Sequence, residues 1–197
     1  VKPRYGGLDD NCRIIYRTAG DGRVVIKGSE QICGWEPVGD QIWKATIDNT
    51  LFGDYNPYAT EISGDWLVDP RESLVHTGDV YINGVSLFEA PDLESVRHPV
   101  RREYSPYETW EMRKELVWNA EDSLMQWYCE AGVDTTTIYA GFGDLDPNQE
   151  LVEINVRPCC FYPEKRGLDY ITVSGFEMAQ AATDWAPPTA YQVGMLG

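Results

Sequence analysis

The sequence predicts an all-β fold in which coils of a parallel β-solenoid are interrupted by an antiparallel β-sandwich. Short β-branched and aromatic runs bounded by Gly, Asp and Pro recur along almost the whole chain, and the alternation of strands with long helices that a doubly wound α/β fold requires is missing. Two distant segments, Val24-Val25-Ile26-Lys27-Gly28-Ser29-Glu30 and Ile171-Thr172-Val173-Ser174-Gly175-Phe176-Glu177, share a β-branched strand, one polar or charged residue, a Gly and, two positions later, a Glu. Between them, residues 31–149 hold Trp, hairpin signals and long acidic loops at the spacing of a sandwich. One continuous irregular sandwich over all 197 residues also fits this pattern.

The elements follow in order. Residues 13–17 and 23–27 are the first strands. A solenoid coil turns sharply where only Gly tolerates φ > 0 and stacks its apolar face on the next coil. The shared Gly therefore predicts strand 24–27 beside strand 171–174, about 5 Å away. Residues 41–47 and 79–82 are strands, the latter running into Asn83-Gly84, the dipeptide a two-residue hairpin favours. Residues 108–118 suit a helix and also suit an extended arm. Strands return at 124–130, 136–140, 150–156 and 169–173. The expected domains are solenoid over 1–30, inserted sandwich over 31–149 and solenoid again over 150–197.

Acidic residues number 32 against 16 basic ones, a formal charge of −16. A polyanion needs a basic stripe that releases its counterions, and here Lys and Arg are scattered, with Arg101-Arg102 and Arg113-Lys114 the densest groups. Nucleic acid and anionic membrane surfaces are excluded as partners on that ground. No apolar run approaches the roughly 18 to 20 residues of a membrane-spanning helix. Seven Trp and 12 Tyr suit either large β cores or sugar-stacking surfaces. Cys12, Cys33, Cys129, Cys159 and Cys160 are odd in number and lack metal-ligand spacing, so they read as buried thiols of a reducing, cytoplasmic compartment.

Motifs of chemistry are few. Asp144-Leu145-Asp146-Pro147-Asn148 spaces oxygens like the start of a calcium loop, but Gln149 stands where the sharp-turn Gly belongs and the bidentate Glu is missing, which predicts a polar loop. His76 and His98 have no His or Cys partner at zinc spacing. Asp9-Asp10 and Glu121-Asp122 are expected in structural or solvated roles. No phosphate loop or nucleophile elbow occurs, and no cofactor or metal is expected.

Seven strings carry a resemblance: Gly28-Ser29-Glu30, Phe52-Gly53-Asp54-Tyr55-Asn56-Pro57-Tyr58, Gly64-Asp65-Trp66-Leu67, Gly78-Asp79-Val80-Tyr81-Ile82-Asn83-Gly84, Val152-Glu153-Ile154-Asn155-Val156-Arg157, Cys160-Phe161-Tyr162-Pro163 and Ala181-Ala182-Thr183-Asp184-Trp185-Ala186-Pro187-Pro188-Thr189-Ala190. In order and over nearly the whole chain, they resemble the N-terminal third of the family 120 glycoside hydrolases, β-xylosidases built on a right-handed parallel β-helix with an intervening β-sandwich. The resemblance implies a chain that is a fragment, starting at Val1 after the first coil and stopping at Gly197 before the coils that carry the catalytic carboxylates. It implies release of xylose from xylo-oligosaccharides, in xylan degradation, by a retaining mechanism whose two carboxyl groups lie outside residues 1–197. The chain alone is then inactive, and its partners are a xylo-oligosaccharide and either the remaining β-helix or a second copy.

Within that resemblance the sugar-binding candidates are Asp65, Trp66, Trp185, Thr189 and Gln192. The Trp66 indole can stack on a pyranose while Asp65 accepts a hydroxyl hydrogen bond; the other reading buries Trp66 beneath its own loop. Pro187-Pro188 stiffens the loop that follows Trp185, which otherwise packs within a β-helix loop. Gln180 stands where the family suggests His, and Tyr191 where it suggests an acidic residue, and both bear on the sugar preferred. A non-catalytic carbohydrate-binding module and a scaffold domain are the alternatives.

Overall fold

The computed structural model describes residues 1–62, 75–108, 113–183 and 194–196. In chain order its strands are β1 (Ile14–Arg17), β2 (Val24–Lys27), β3 (Ser29–Gln31), β4 (Glu36–Gly39), β5 (Ile42–Asp48), β6 (Val80–Ile82), β7 (Val85–Ser86) and β8 (Phe88–Glu89). After a five-residue helix α1 (Leu93–Arg97) come β9 (Tyr104–Glu108), β10 (Lys114–Leu116), β11 (Gln126–Ala131), β12 (Thr135–Gly141), β13 (Val152–Asn155), β14 (Ile171–Ser174) and β15 (Phe176–Ala179). The fold is all-β, as the sequence predicts, with several sheets.

Two sheets enclose one core. The five-stranded sheet runs β4-β5-β12-β11-β8 and the four-stranded sheet β3-β13-β6-β7. Alternation decides what points inward. From the first sheet come Ala45, Ile47, Trp127, Cys129, Ile138 and Ala140; from the second come Val80, Ile82, Val152 and Ile154. Tyr58, Trp35 and Phe142 fill the space between them, Tyr58 meeting Trp127 edge to face at 5.5 Å. On the outer face of the larger sheet, Val96 and Leu93 of α1 pack with Ile42, Tyr128 and Tyr139. This helix is too short for periodicity to reveal. Its start is set by Asp92, whose carboxylate accepts from the Ser95 amide at 2.7 Å. Within the stretch 108–118, Glu108 ends β9 and Lys114–Leu116 form β10, an antiparallel pair rather than a helix, and 109–112 lie outside the described residues. Asn83 and Gly84 both have positive φ, 52° and 84°, as a type I′ turn between β6 and β7 requires.

The chain's two ends meet in parallel ladders, β1 with β14 and β2 with β15. This corrects the expected pairing of 24–27 with 171–174, which lie in different sheets. The first corner of one layer is the long excursion from Thr18 to Arg23, whereas in the other it is Gly175 alone, at φ 82°. Matching Gly28 to Gly175 aligns unlike corners. Gly175 abuts Thr18, while Gly28 abuts the Gln180–Ala181 backbone, where a Cβ would come within 2.6 Å of Ala181 Cα. Gly28 is required by that close approach and not by a positive φ.

The cysteines also differ from expectation. Cys129 and Cys160 are buried, but Cys12 and Cys33 are exposed and Cys159 is half-buried, all five being free thiols. Asp9 accepts from the Asn11 and Cys12 amides, Asp10 pairs with Arg13, and Glu121 pairs with Arg101. Asn148 of the polar loop accepts from the Gly34 and Trp35 amides and donates to the Trp35 carbonyl, which tethers the loop to the chain before β4.

Candidate functional site

Asp65, Trp66, Trp185, Thr189 and Gln192 lie outside the described residues, as does Tyr191. What the structure does describe is the chain flanking them. Ile62 N donates to Val75 O at 2.8 Å and Thr77 N to Thr60 O at 2.9 Å, with Glu61 bridged to His76, so both ends of 63–74 leave from one antiparallel stem. Ala182 N donates to Arg157 O at 2.8 Å, fixing the chain just before residue 184. The Tyr55 hydroxyl joins the two stems: it donates to Ala182 O at 2.9 Å and lies 2.7 Å from Thr77 Oγ1. Tyr55 is part of the Phe52-to-Tyr58 string, and nothing in its sequence context announces this role.

Beneath this junction lies β13, whose four residues are all buried. Val152 and Ile154 enter the core, so Glu153 and Asn155 must face the other way. A buried polar group without a partner is costly, and both are satisfied. Asn155 donates to Thr77 O at 3.0 Å and accepts from Asp79 N at 2.8 Å. Glu153 receives Lys27 Nζ at 2.5 Å. Ser29 Oγ lies 2.7 Å from Gln180 Oε1 and 3.2 Å from Glu153 Oε1. Gln180 holds its backbone at φ 56°, a left-handed conformation. Arg157 pairs with Glu30 at the margin. The junction is thus a paired polar layer between the sheets and the parallel ladders.

Two clefts open on the sheets beside the stem of 63–74, of about 450 and 730 Å³, and both are lined by His76 and Glu89. Glu89 clamps His76: one carboxylate oxygen accepts from the His76 amide at 2.9 Å and the other sits 2.5 Å from Nδ1. That hydrogen bond raises the imidazole pKa against the opposing effect of burial, with the charges of Glu89 and Glu61 adding to it. Asp79, on the smaller cleft, is pushed up to about 6, chiefly by burial, although Ser86 Oγ donates to it at 2.6 Å and Val80 N at 2.8 Å. A carboxyl near that value exchanges between acceptor and donor around neutral pH. Sequence reasoning does not single out His76, Asp79 and Glu89 as a group. The available signal is an Asp placed directly before a β-branched strand, and partners 7 to 13 residues away are invisible to spacing rules. Together these groups offer carboxylate acceptors and an imidazole to a hydroxylated ligand. Among the described residues no group of three or more His, Cys, Asp or Glu side chains is placed to hold a metal ion.

A solved structure of the complex of XylC with xylose matches the chain at 48% identity and a TM-score of 0.93, covering 100% of this chain and 30% of that one. The chain therefore spans less than a third of the length of that relative. A search of the curated proteins finds no match. The family described as glycoside hydrolase 120, insertion domain, matches residues 32–154, from the start of the larger sheet's approach through most of β13. Well over half of the chain lies inside that match, and the chain belongs to the glycoside hydrolase 120 family.

Proposed function

We propose that this chain forms one wall of the sugar pocket of a glycosidase that releases xylose from xylo-oligosaccharides. In this reading residues 31–149 are a β-sandwich inserted between coils of a right-handed parallel β-helix, which 1–30 and 150–197 supply. The observation that supports it is the Tyr55 hydroxyl, which ties the stem of 63–74 to the backbone that precedes 184. Segments bearing Asp65-Trp66 and Trp185 to Gln192 then face one cleft. Trp66 supplies apolar contact, Asp65 selects a hydroxyl, and Trp185, Thr189 and Gln192 close the opposite side. A β-helix groove grips a long chain but does not close around a terminal sugar, and the sandwich loops provide the wall an exo-acting enzyme needs.

The retaining pair, two carboxyl groups roughly 5 to 5.5 Å apart, lies outside residues 1–197 on this reading. The carboxylates at the junction are already committed, Glu153 to Lys27 and Glu30 to Arg157. The partner that completes the enzyme is further β-helix stacked on the parallel ladders. Five free thiols fit a cytoplasmic setting.

The test is binding of xylose in the xylosidase that contains this chain. Trp66→Ala should weaken it by roughly 1 to 3 kcal/mol, the scale of a lost aromatic contact, and leave the unfolding midpoint unchanged. An unfolded variant with Trp66 enclosed in a core would sink the assignment. The chain alone should not hydrolyse aryl β-xylosides.

A further inference from the structure

Trp118 is fully exposed, at 102% relative accessibility, whereas Trp35 and Trp127 are buried at 3% and 1%. Its ring makes no aromatic or cation–π contact among the described residues. The backbone around it is nonetheless well fixed. Val117 N donates to Glu103 O at 3.0 Å, Asn119 Nδ2 to Asp122 Oδ1 at 2.9 Å, and the buried Ser123 hydroxyl receives the Arg102 amide at 2.8 Å. A held segment presenting a bare indole is unusual, because large apolar groups at a surface are normally covered.

Trp118 stands at the margin of the 450 Å³ cleft, a size within the roughly 300 to 1,000 Å³ of small-molecule sites. Leu87 and Trp127 give that cleft an apolar floor, each no more than 3% exposed. Its polar lining includes His76, Asp79 and Glu89 together with Asn119 and Asp122. Glu89 holds His76 through Nδ1, and Nε2 has no partner among the described residues, so it is open to a ligand hydroxyl, as an acceptor in the neutral ring and as a donor in the protonated one. An apolar plate beside carboxylate acceptors and an open imidazole nitrogen matches a pyranose, which offers an apolar C–H face and a rim of hydroxyls. Three acidic side chains face one imidazole here, in a chain of net charge −16. That balance repels uronic acids, nucleic acid and anionic lipid alike.

We propose that the insertion domain carries a second saccharide site of its own, in which Trp118 stacks on a neutral pyranoside unit and the His76–Asp79–Glu89 wall binds its hydroxyls. The residues assigned to this site are separate from Trp66 and Trp185, and the site would hold a xylo-oligosaccharide by units other than the one being cleaved.

The experiment is titration of the full chain with xylotriose, followed by tryptophan fluorescence and by calorimetry. Saturable binding is expected, with Trp118→Ala weakening it by about tenfold, equivalent to about 1.4 kcal/mol. Trp118→Phe should recover most of that loss, and the exposed position means that neither variant disturbs the fold. The double variant Trp66→Ala/Trp185→Ala should keep this binding, so that failure of the pocket proposed above and failure of this site give different results. Three outcomes would overturn the site: no saturable binding by the parent chain, equal binding by Trp118→Ala, or binding abolished by the double variant alone. Equal affinity for xylotriose carrying a glucuronic acid branch would overturn its preference for neutral sugars.

Discussion

Replacing Asp79 with Asn separates charge from shape at the most perturbed carboxyl of the cleft. Burial lifts this group from 3.8 to about 6, so the folded chain holds the proton more tightly than the unfolded chain does. The associated stabilisation is complete below 3.8 and is lost as the pH rises through about 6. In full it amounts to about 3 kcal/mol at about 1.4 kcal/mol per pH unit, and about 1.4 kcal/mol of it falls between pH 5 and pH 8. The carboxamide of the Asp79→Asn variant is isosteric with the carboxyl it replaces. Its oxygen still accepts from Val80 N, and the Ser86 hydroxyl can turn to accept from the amide nitrogen. The bond from the Tyr58 hydroxyl to the Asp79 backbone oxygen, 2.6 Å, is untouched. Urea unfolding followed by tryptophan fluorescence at pH 5 and pH 8 should therefore show Asp79→Asn gaining about 1.4 kcal/mol on the parent chain across that interval. A difference between the two proteins that is the same at both pH values would refute the reasoning, since it would mean that Asp79 titrates alike folded and unfolded.

Three further outcomes are expected. Tyr55→Phe removes the hydroxyl shared by Thr77 and Ala182 and should cost about 1 kcal/mol in chemical unfolding, where an unchanged midpoint would contradict the shared bond. Gly28→Ala drives a methyl group against the backbone of Gln180 and Ala181; with nothing flexible to give way, a loss of roughly 1 to 3 kcal/mol is expected, and an unchanged unfolding midpoint would contradict the packing. His76→Asn should narrow its stability gap to the parent as pH rises. The raised folded-state pKa, due first to the Glu89 hydrogen bond, gives a contribution fully present below about 6.5 that fades above it, which thermal melts from pH 6 to pH 9 would show.

The strands were legible because alternation and β-branched runs are local properties, and Asn83-Gly84 named its own turn. Strand register was not, since pairing β1 with β14 depends on which corners stack, and Gly175 and the Thr18-to-Arg23 excursion are unlike in length. β13 shows why the junction escaped detection. Its Val-Glu-Ile-Asn alternation reads as a strand with one wet face, yet all four residues are buried. The cover over Glu153 and Asn155 comes from Lys27, Ser29 and Thr77, all of them 78 or more positions away in sequence. Asp92 could have announced α1 as an N-cap, but five helical residues give no period to support it. Trp118 falls at the end of a stretch that suits a helix or an arm, and its exposure could not be read, because a lone Trp in a polar stretch is equally a core residue or a surface plate.

The antiparallel pairing of β3 with β13, Ser29 opposite Asn155 and Gln31 opposite Glu153, has a consequence for the order in which the chain folds. Arg13 and Thr172 touch across 159 positions, and closing a flexible loop of that length directly costs about 4.5 kcal/mol of chain entropy in its length-dependent part. Once the two sheets have formed, β3 and β13 already stand side by side, and the length still to be closed falls to roughly thirty residues, or about 3 kcal/mol. The difference favours sheets-first assembly by about a factor of ten in the closure step. The parallel ladders, slow to form because their contacts are so distant, are then templated by a unit that has already folded.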